Sequence, residues 1–152
     1  MIACLLNPTL YNQAAQQLSW KPGFENIIPF VDYAICSANF YPPGCYTREE
    51  VIVYLQKAGI PNIAITQGKK PIQYLTQGQT GFVDIPKINK ESSAIDTLGA
   101  GDIFHGAFCY YILEASFITA LEQSAKIASF SCQFFGTRRW MQEFQQQNIL
   151  EC

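Results

Sequence analysis

Charge is scarce in this sequence. Only 14% of its 152 residues are charged, and the formal net charge is −2. No overall field draws the chain to nucleic acid or to an anionic membrane surface. Its tightest basic cluster is the pair Arg138-Arg139, so no nucleic-acid partner is expected. Histidine is nearly missing, with His105 alone, and no C-x-x-C pair occurs among the six cysteines at positions 4, 36, 45, 109, 132 and 152. These two shortages argue against a structural zinc site, and no metal-ligating residue is assigned. A chain of this size folds without disulfide staples. Its thiols read as reduced and mostly packed, as in a cytoplasmic protein, with terminal Cys152 the candidate for an exposed one. No apolar run reaches the roughly eighteen residues of a membrane span, so no membrane partner is expected. The start, MIACLLNPTLYNQ, lacks the basic region of a secretory signal. Internal repeats and low-complexity segments are absent.

What is abundant is apolar surface. The apolar set makes up 49% of the chain and aromatics 14%, which excludes disorder and suits one domain, residues 1–152, with a sizeable core. The stretch from Ile2 to Leu6 reads as a buried strand that turns at Asn7-Pro8. A short helix and a turn fit residues 9–30. The run FVDYAIC, Phe30 to Cys36, suits a second buried strand, stopped by Pro42-Pro43-Gly44. Thr47 and Glu50 have the spacing of a capping box, followed by Val51, Tyr54, Leu55 and Ala58 at helical period and by Gly59 as the stop. Ile63 to Thr66 reads as a third strand. Residues 70–88 switch to a shorter period with Gly78, Gly81 and Pro86, which predicts a hairpin. Helices are expected from about Asp102 to Glu114, from a second capping box at Thr119 and Glu122 to about Phe134, and over 138–147. Strands alternating with helices predict an α/β fold with a mostly parallel sheet covered by helices.

The stretch Asp96-Thr97-Leu98-Gly99-Ala100-Gly101-Asp102 stands just before one of those helices. Gly99 and Gly101 allow unusual backbone conformations and close approach of a ligand. The first turn of a helix presents unpaired N–H groups and the positive end of its dipole, which suits phosphate or developing negative charge. Asp102 has two readings. It is either a helix N-cap, or a base that accepts a hydroxyl proton while the N–H groups hold phosphoryl oxygens. The stretch is neither a Walker A loop nor a dinucleotide fingerprint.

The same seven residues resemble the second signature of the ribokinase-like (PfkB) carbohydrate kinases. The T-x-G turn Thr66-Gln67-Gly68, the apolar helix Phe104 to Tyr111 and the alanine-containing helix Ala125 to Gly136 agree with it. The similarity covers roughly residues 20–140. It implies a three-layer ribokinase-like α/β fold, and transfer of the ATP γ-phosphoryl to a sugar or nucleoside hydroxyl with Mg2+. It further implies Asp102 as the base and the backbone amides of Gly99, Ala100 and Gly101 as the anion hole. Thr97 would lie near the nucleotide phosphates, Thr66 and Gly68 on the nucleotide side, and Ala128 and Cys132 near the adenine. Asp96 is expected to serve the loop or a monovalent cation.

Members of the family are about twice as long. The resemblance therefore identifies this chain as the C-terminal, nucleotide-binding half alone, with the N-terminal half and its lid absent. That half would supply the sugar contacts, so a homo-oligomer or a separate N-terminal chain is expected as partner. The family's N-x-x-E motif reads Asn39-Phe40-Tyr41-Pro42 here, without the glutamate. Glu50 is a cap residue, and Lys69 and Lys70 read as solvated turn residues. A non-catalytic nucleotide-binding remnant, or a structural subunit needing a partner chain, is the rival reading.

Overall fold

A computed structural model describes residues 2–5, 23–87 and 96–146 of the chain. They fall into two compact units, Met1–Asp84 and Ile85–Cys152.

The first unit is built on a five-stranded sheet in sequence order: β1 (Ile2–Leu5), β2 (Tyr33–Ser37), β3 (Asn62–Gln67), β4 (Lys70–Thr76) and β5 (Gln79–Val83). Among its described residues lie the single turn α1 (Phe24–Ile27), a 3-10 turn at Ile28–Phe30 and the helix α2 (Arg48–Lys57). β1 and β3 both run parallel to β2, with Cys4 beside Ile35 and Ala34 beside Ile63. The centres of β2 and β3, Ala34-Ile35-Cys36 and Ile63-Ala64-Ile65, are buried at every position. An unbroken apolar run is what a strand covered on both faces requires. Alternate residues of that run, Ala34, Cys36, Ile63 and Ile65, share one core with Val51, Ile52 and Leu55 of α2.

β4 and β5 reverse the direction. β3 pairs antiparallel with β4, and β4 antiparallel with β5. The sheet is therefore mixed, and the expected mostly parallel sheet is corrected. The reason is covalent. Only Gly68 and Lys69 separate β3 from β4, and only Gln77 and Gly78 separate β4 from β5. Two residues close a hairpin but cannot carry a crossover. Gln77 and Gly78 both have positive φ, 50° and 75°, the twist a two-residue hairpin needs.

α2 starts as its sequence predicts. The Thr47 hydroxyl accepts the Glu50 N–H at 3.2 Å, and Glu50 Oε2 accepts the N–H groups of Thr47 at 2.9 Å and Tyr46 at 2.7 Å. Those two amides hold the Glu50 carboxyl below its ordinary pKa.

The second unit is helical: α3 (Ala100–Tyr111), α4 (Phe117–Ser131) and α5 (Arg139–Gln146). Phe104 and Phe108 of α3 are buried, as are Phe117, Ala120, Leu121, Ser124 and Ala125 of α4. Phe108 meets Phe117 edge-on, ring centroids 5.8 Å apart. Phe144 of α5 packs against Phe130 and Trp140 at 5.5 and 5.9 Å. The N-cap of α4 is Ser116, whose Oγ accepts the Thr119 N–H at 3.2 Å. The helix start expected at Thr119 is thus displaced upstream by one turn, to Ser116. The buried ring of Phe117 has to lie inside the helix, and that moves the start upstream.

Secondary structure runs from β1 to α5 over most of the chain, which is more than the C-terminal remnant expected of it. Among the described residues, no helix is long and apolar enough to cross a membrane. Cys36, Cys45 and Cys132 are buried, and Cys109 is half-buried. The side chain of Cys4 and all of Cys152 lie outside the described residues.

Candidate functional site

The signature loop enters α3 through Gly99. This residue is the N-cap, in the left-handed conformation at φ 76°, and it offers no side chain to cap the helix. A Cβ there would come within 3.0 Å of the Thr137 methyl group. The conformation favours glycine, and a side chain would in addition need the Thr137 methyl to give way by a few tenths of an ångström. Asp102 is the third helical residue and not the cap. Its exposed carboxylate makes no hydrogen bond to the described residues. The N-cap reading of Asp102 accordingly falls.

The loop amides divide into used and unused. Leu98 N–H donates to Asp96 Oδ1 at 2.8 Å, and Ala100 N–H donates to the Thr97 carbonyl at 3.2 Å. The N–H groups of Gly99, Gly101 and Asp102 have no partner among the described residues. Of the three amides expected to form an anion hole, Gly99 and Gly101 are open, and Ala100 donates to the Thr97 carbonyl. Thr97 is exposed beside them.

Asp96 organises this loop from below. Its Oδ2 accepts the Gly136 N–H at 3.0 Å, and its own N–H donates to the Cys132 carbonyl at 3.3 Å. The two amides at its carboxylate pull its pKa below the ordinary value. Asp96 thus ties the signature to the turn after α4. Gly136 reads from sequence only as a helix stop, and nothing local in the sequence signals this tie. Cys132, expected near the adenine, meets the loop through its carbonyl, while its thiol is buried. Ala128, one turn earlier, is half-buried, and its carbonyl accepts from the Cys132 N–H and the Ser131 hydroxyl.

His105 lies one helical turn past Asp102. Its Nε2 is buried without a hydrogen-bond partner among the described residues. Burial pushes its pKa down, and the Asp102 carboxylate opposes that shift.

Thr66 and Gly68 belong to the first unit, at the end of β3. The Thr66 hydroxyl donates to the Cys36 carbonyl at 3.2 Å, and the Thr66 carbonyl accepts the Ala38 N–H at 2.9 Å. The Thr66 side chain therefore has a structural partner across β2. Between these residues, Gln67 accepts a hydrogen bond from Arg48 and donates one to the Pro71 carbonyl at 3.1 Å. Sequence reasoning passed over both Arg48 and Gln67.

No three histidine, cysteine, aspartate or glutamate side chains converge as a metal cage among the described residues. Mg2+ commonly retains water and substrate phosphate oxygens as ligands. A loop with open amides and an unpaired carboxylate fits that mode, in which the metal arrives on the nucleotide.

A model of the pfkB family of carbohydrate kinases matches residues 8–143. The chain belongs to this family. The match takes in nearly the whole chain, so the resemblance is not confined to a C-terminal half, and that expectation is corrected. Deoxyribokinase of Salmonella typhi is 33% identical over 81 residues, which are 53% of this chain and 25% of that relative. Among solved structures, ribokinase from Thermotoga maritima is 20% identical with a TM-score of 0.65, over 80% of this chain and 44% of that one. Aminoimidazole riboside kinase from Salmonella enterica, solved with aminoimidazole riboside and an ATP analogue, is 17% identical with a TM-score of 0.65. That alignment covers 81% of this chain and 45% of the kinase. At such identities the structural likeness establishes the ribokinase-like α/β fold. The matched stretch covers a quarter of the length of the curated relative, and the structural alignments cover less than half of the solved ones.

Proposed function

We propose that this pfkB-family protein handles ATP and transfers its γ-phosphoryl group to a hydroxyl of a sugar or nucleoside. Asp102 takes the hydroxyl proton. The open amides of Gly99 and Gly101, together with the Ala100 amide, hold the phosphoryl oxygens as charge develops. Thr97 lies on the phosphate side of the nucleotide, Thr66 and Gly68 contact the nucleotide, and Ala128 and Cys132 border the adenine. Mg2+, when bound with the nucleotide, supplies charge neutralisation at the phosphates. One observation carries the reading: Asp102 is an exposed carboxylate without a capping bond, directly beside amides that have no protein partner.

The test is Asp102→Asn, with Mg-ATP binding followed by calorimetry and turnover measured against a panel of sugars and nucleosides. A general base contributes about 10²–10⁴-fold. Turnover should fall by about that factor while nucleotide affinity stays within about twofold, since the amides are untouched. Unchanged turnover would remove Asp102 from the chemistry. Saturable nucleotide binding without turnover on any acceptor would favour a non-catalytic nucleotide-binding module.

A further inference from the structure

Arg48 is the first residue of α2, a poor place for a cation. The helix dipole puts positive charge there, and the carboxylates of Glu49 and Glu50 suit it better. Its guanidinium leaves the helix and donates from Nη1 to Oε1 of Gln67, the last residue of β3. The other end of the same amide, Nε2, donates to the carbonyl of Pro71 in β4 at 3.1 Å. The β3–β4 pairing shifts register between Ile65 and Gln67, where the ladder alone does not define the backbone. One side-chain amide thus joins α2 to both strands at the irregular point of the sheet.

The polarity of this link is set at both ends, since the Pro71 carbonyl only accepts. A guanidinium is donor-only, so it selects the oxygen end of the Gln67 amide and leaves the nitrogen end for Pro71. Without Arg48 the Pro71 carbonyl alone would hold the amide, and its oxygen end would be released from α2. The peptide between Gln67 and Gly68 sits at the head of the two-residue turn, with Gly68 at φ 63°. No carboxylate pairs with Arg48 among the described residues, so the turn also retains its charge, next to Lys69 and Lys70.

We infer that Arg48 is a positioning residue: acting through Gln67, it holds the Thr66-Gln67-Gly68 turn in the conformation that receives the nucleotide. This rests on the functional reading above, in which Thr66 and Gly68 contact the nucleotide. The experiment is a double-mutant cycle on the full chain with Arg48→Ala, Gln67→Ala and the pair, read by calorimetric titration with Mg-ATP and by Tm. Each single variant should weaken nucleotide binding by about tenfold, the scale of one hydrogen bond to a charged group. The double variant should be no weaker than either single one, because both remove the same link. Arg48→Lys, which keeps a donor, should recover part of the loss, while Arg48→Met, which keeps only the apolar stem, should not. Tm should move by only a few degrees. Affinities within twofold of wild type, or losses that add in the double variant, overturn the inference. If the wild-type chain binds no Mg-ATP, it is the functional reading that fails. The role of Arg48 is then decided on the nucleotide-free protein. Arg48→Ala should shift the NMR resonances of the Gln67 side-chain amide and the Gly68 backbone amide, and unmoved resonances overturn it.

Discussion

Asp96 Oδ2 accepts the backbone N–H of Gly136 at 3.0 Å, across 40 positions of sequence. Its other oxygen holds the Leu98 N–H, so a single carboxylate joins the start of the signature loop to the turn that follows α4. The loop's shape therefore depends on a residue that belongs to neither the candidate base nor the anion hole.

That arrangement has a pH signature. The folded-state pKa of Asp96 lies below its ordinary value, near 3.9 for an unperturbed aspartate, and the same holds for Glu50 through its capping bonds. Their stabilisation is complete above the unfolded-state pKa values and is lost as pH falls through the lower folded-state ones. Thermal midpoints recorded between about pH 2 and pH 6 should show a steep acid limb. Asp96→Asn and Glu50→Gln should each lower the midpoint at neutral pH and remove part of that limb. A variant that kept the whole wild-type acid slope would show that its carboxylate is not linked to folding.

Gly99→Ala should destabilise the second unit for two separable reasons. The left-handed backbone costs a side chain about 1–2 kcal/mol, and the new Cβ would lie 3.0 Å from the Thr137 methyl. Thr137→Ser deletes that methyl. In a denaturant-unfolding cycle, the double variant should recover the contact part of the loss and keep the backbone part. Full recovery would mean that conformation is not limiting at Gly99.

Ser116→Ala should cost about 1 kcal/mol, the usual scale for a lost N-cap. Glu122→Gln should change stability by less than about 0.5 kcal/mol, as an exposed substitution within a helix. Equilibrium unfolding of the two variants ranks them. The reverse order would restore the start of α4 to Thr119.

His105 should titrate below the ordinary histidine value, because its ring is desolvated, and Asp102→Asn should lower it further by removing the charge that opposes the shift. Imidazole resonances followed by NMR across pH 4–8 (a range of about two units either side of the ordinary value) read both changes. An unfolded histidine binds its proton at higher pH than this one. Stability should therefore fall as pH drops through the range near 6.5, and His105→Phe should flatten that fall. An imidazole that titrates above 6.5 in the wild type would contradict the burial of Nε2.

What the sequence determined by itself was short in range. The α2 capping box, the apolar runs of β2 and β3, and the β4–β5 hairpin are legible because each is set by residues a few positions apart. The signature Asp96 to Asp102 was legible for the same reason, being one contiguous stretch. The tertiary structure decided the rest. The sheet became mixed because two-residue connections force reversal. The start of α4 moved to Ser116 because Phe117 is buried. Gly99, and not Asp102, caps α3. The ties from Asp96 to Gly136 and from Arg48 to Gln67 join residues distant in sequence. Such a tie depends on where packed strands and helices deliver two polar groups, and no local pattern of residues encodes that meeting.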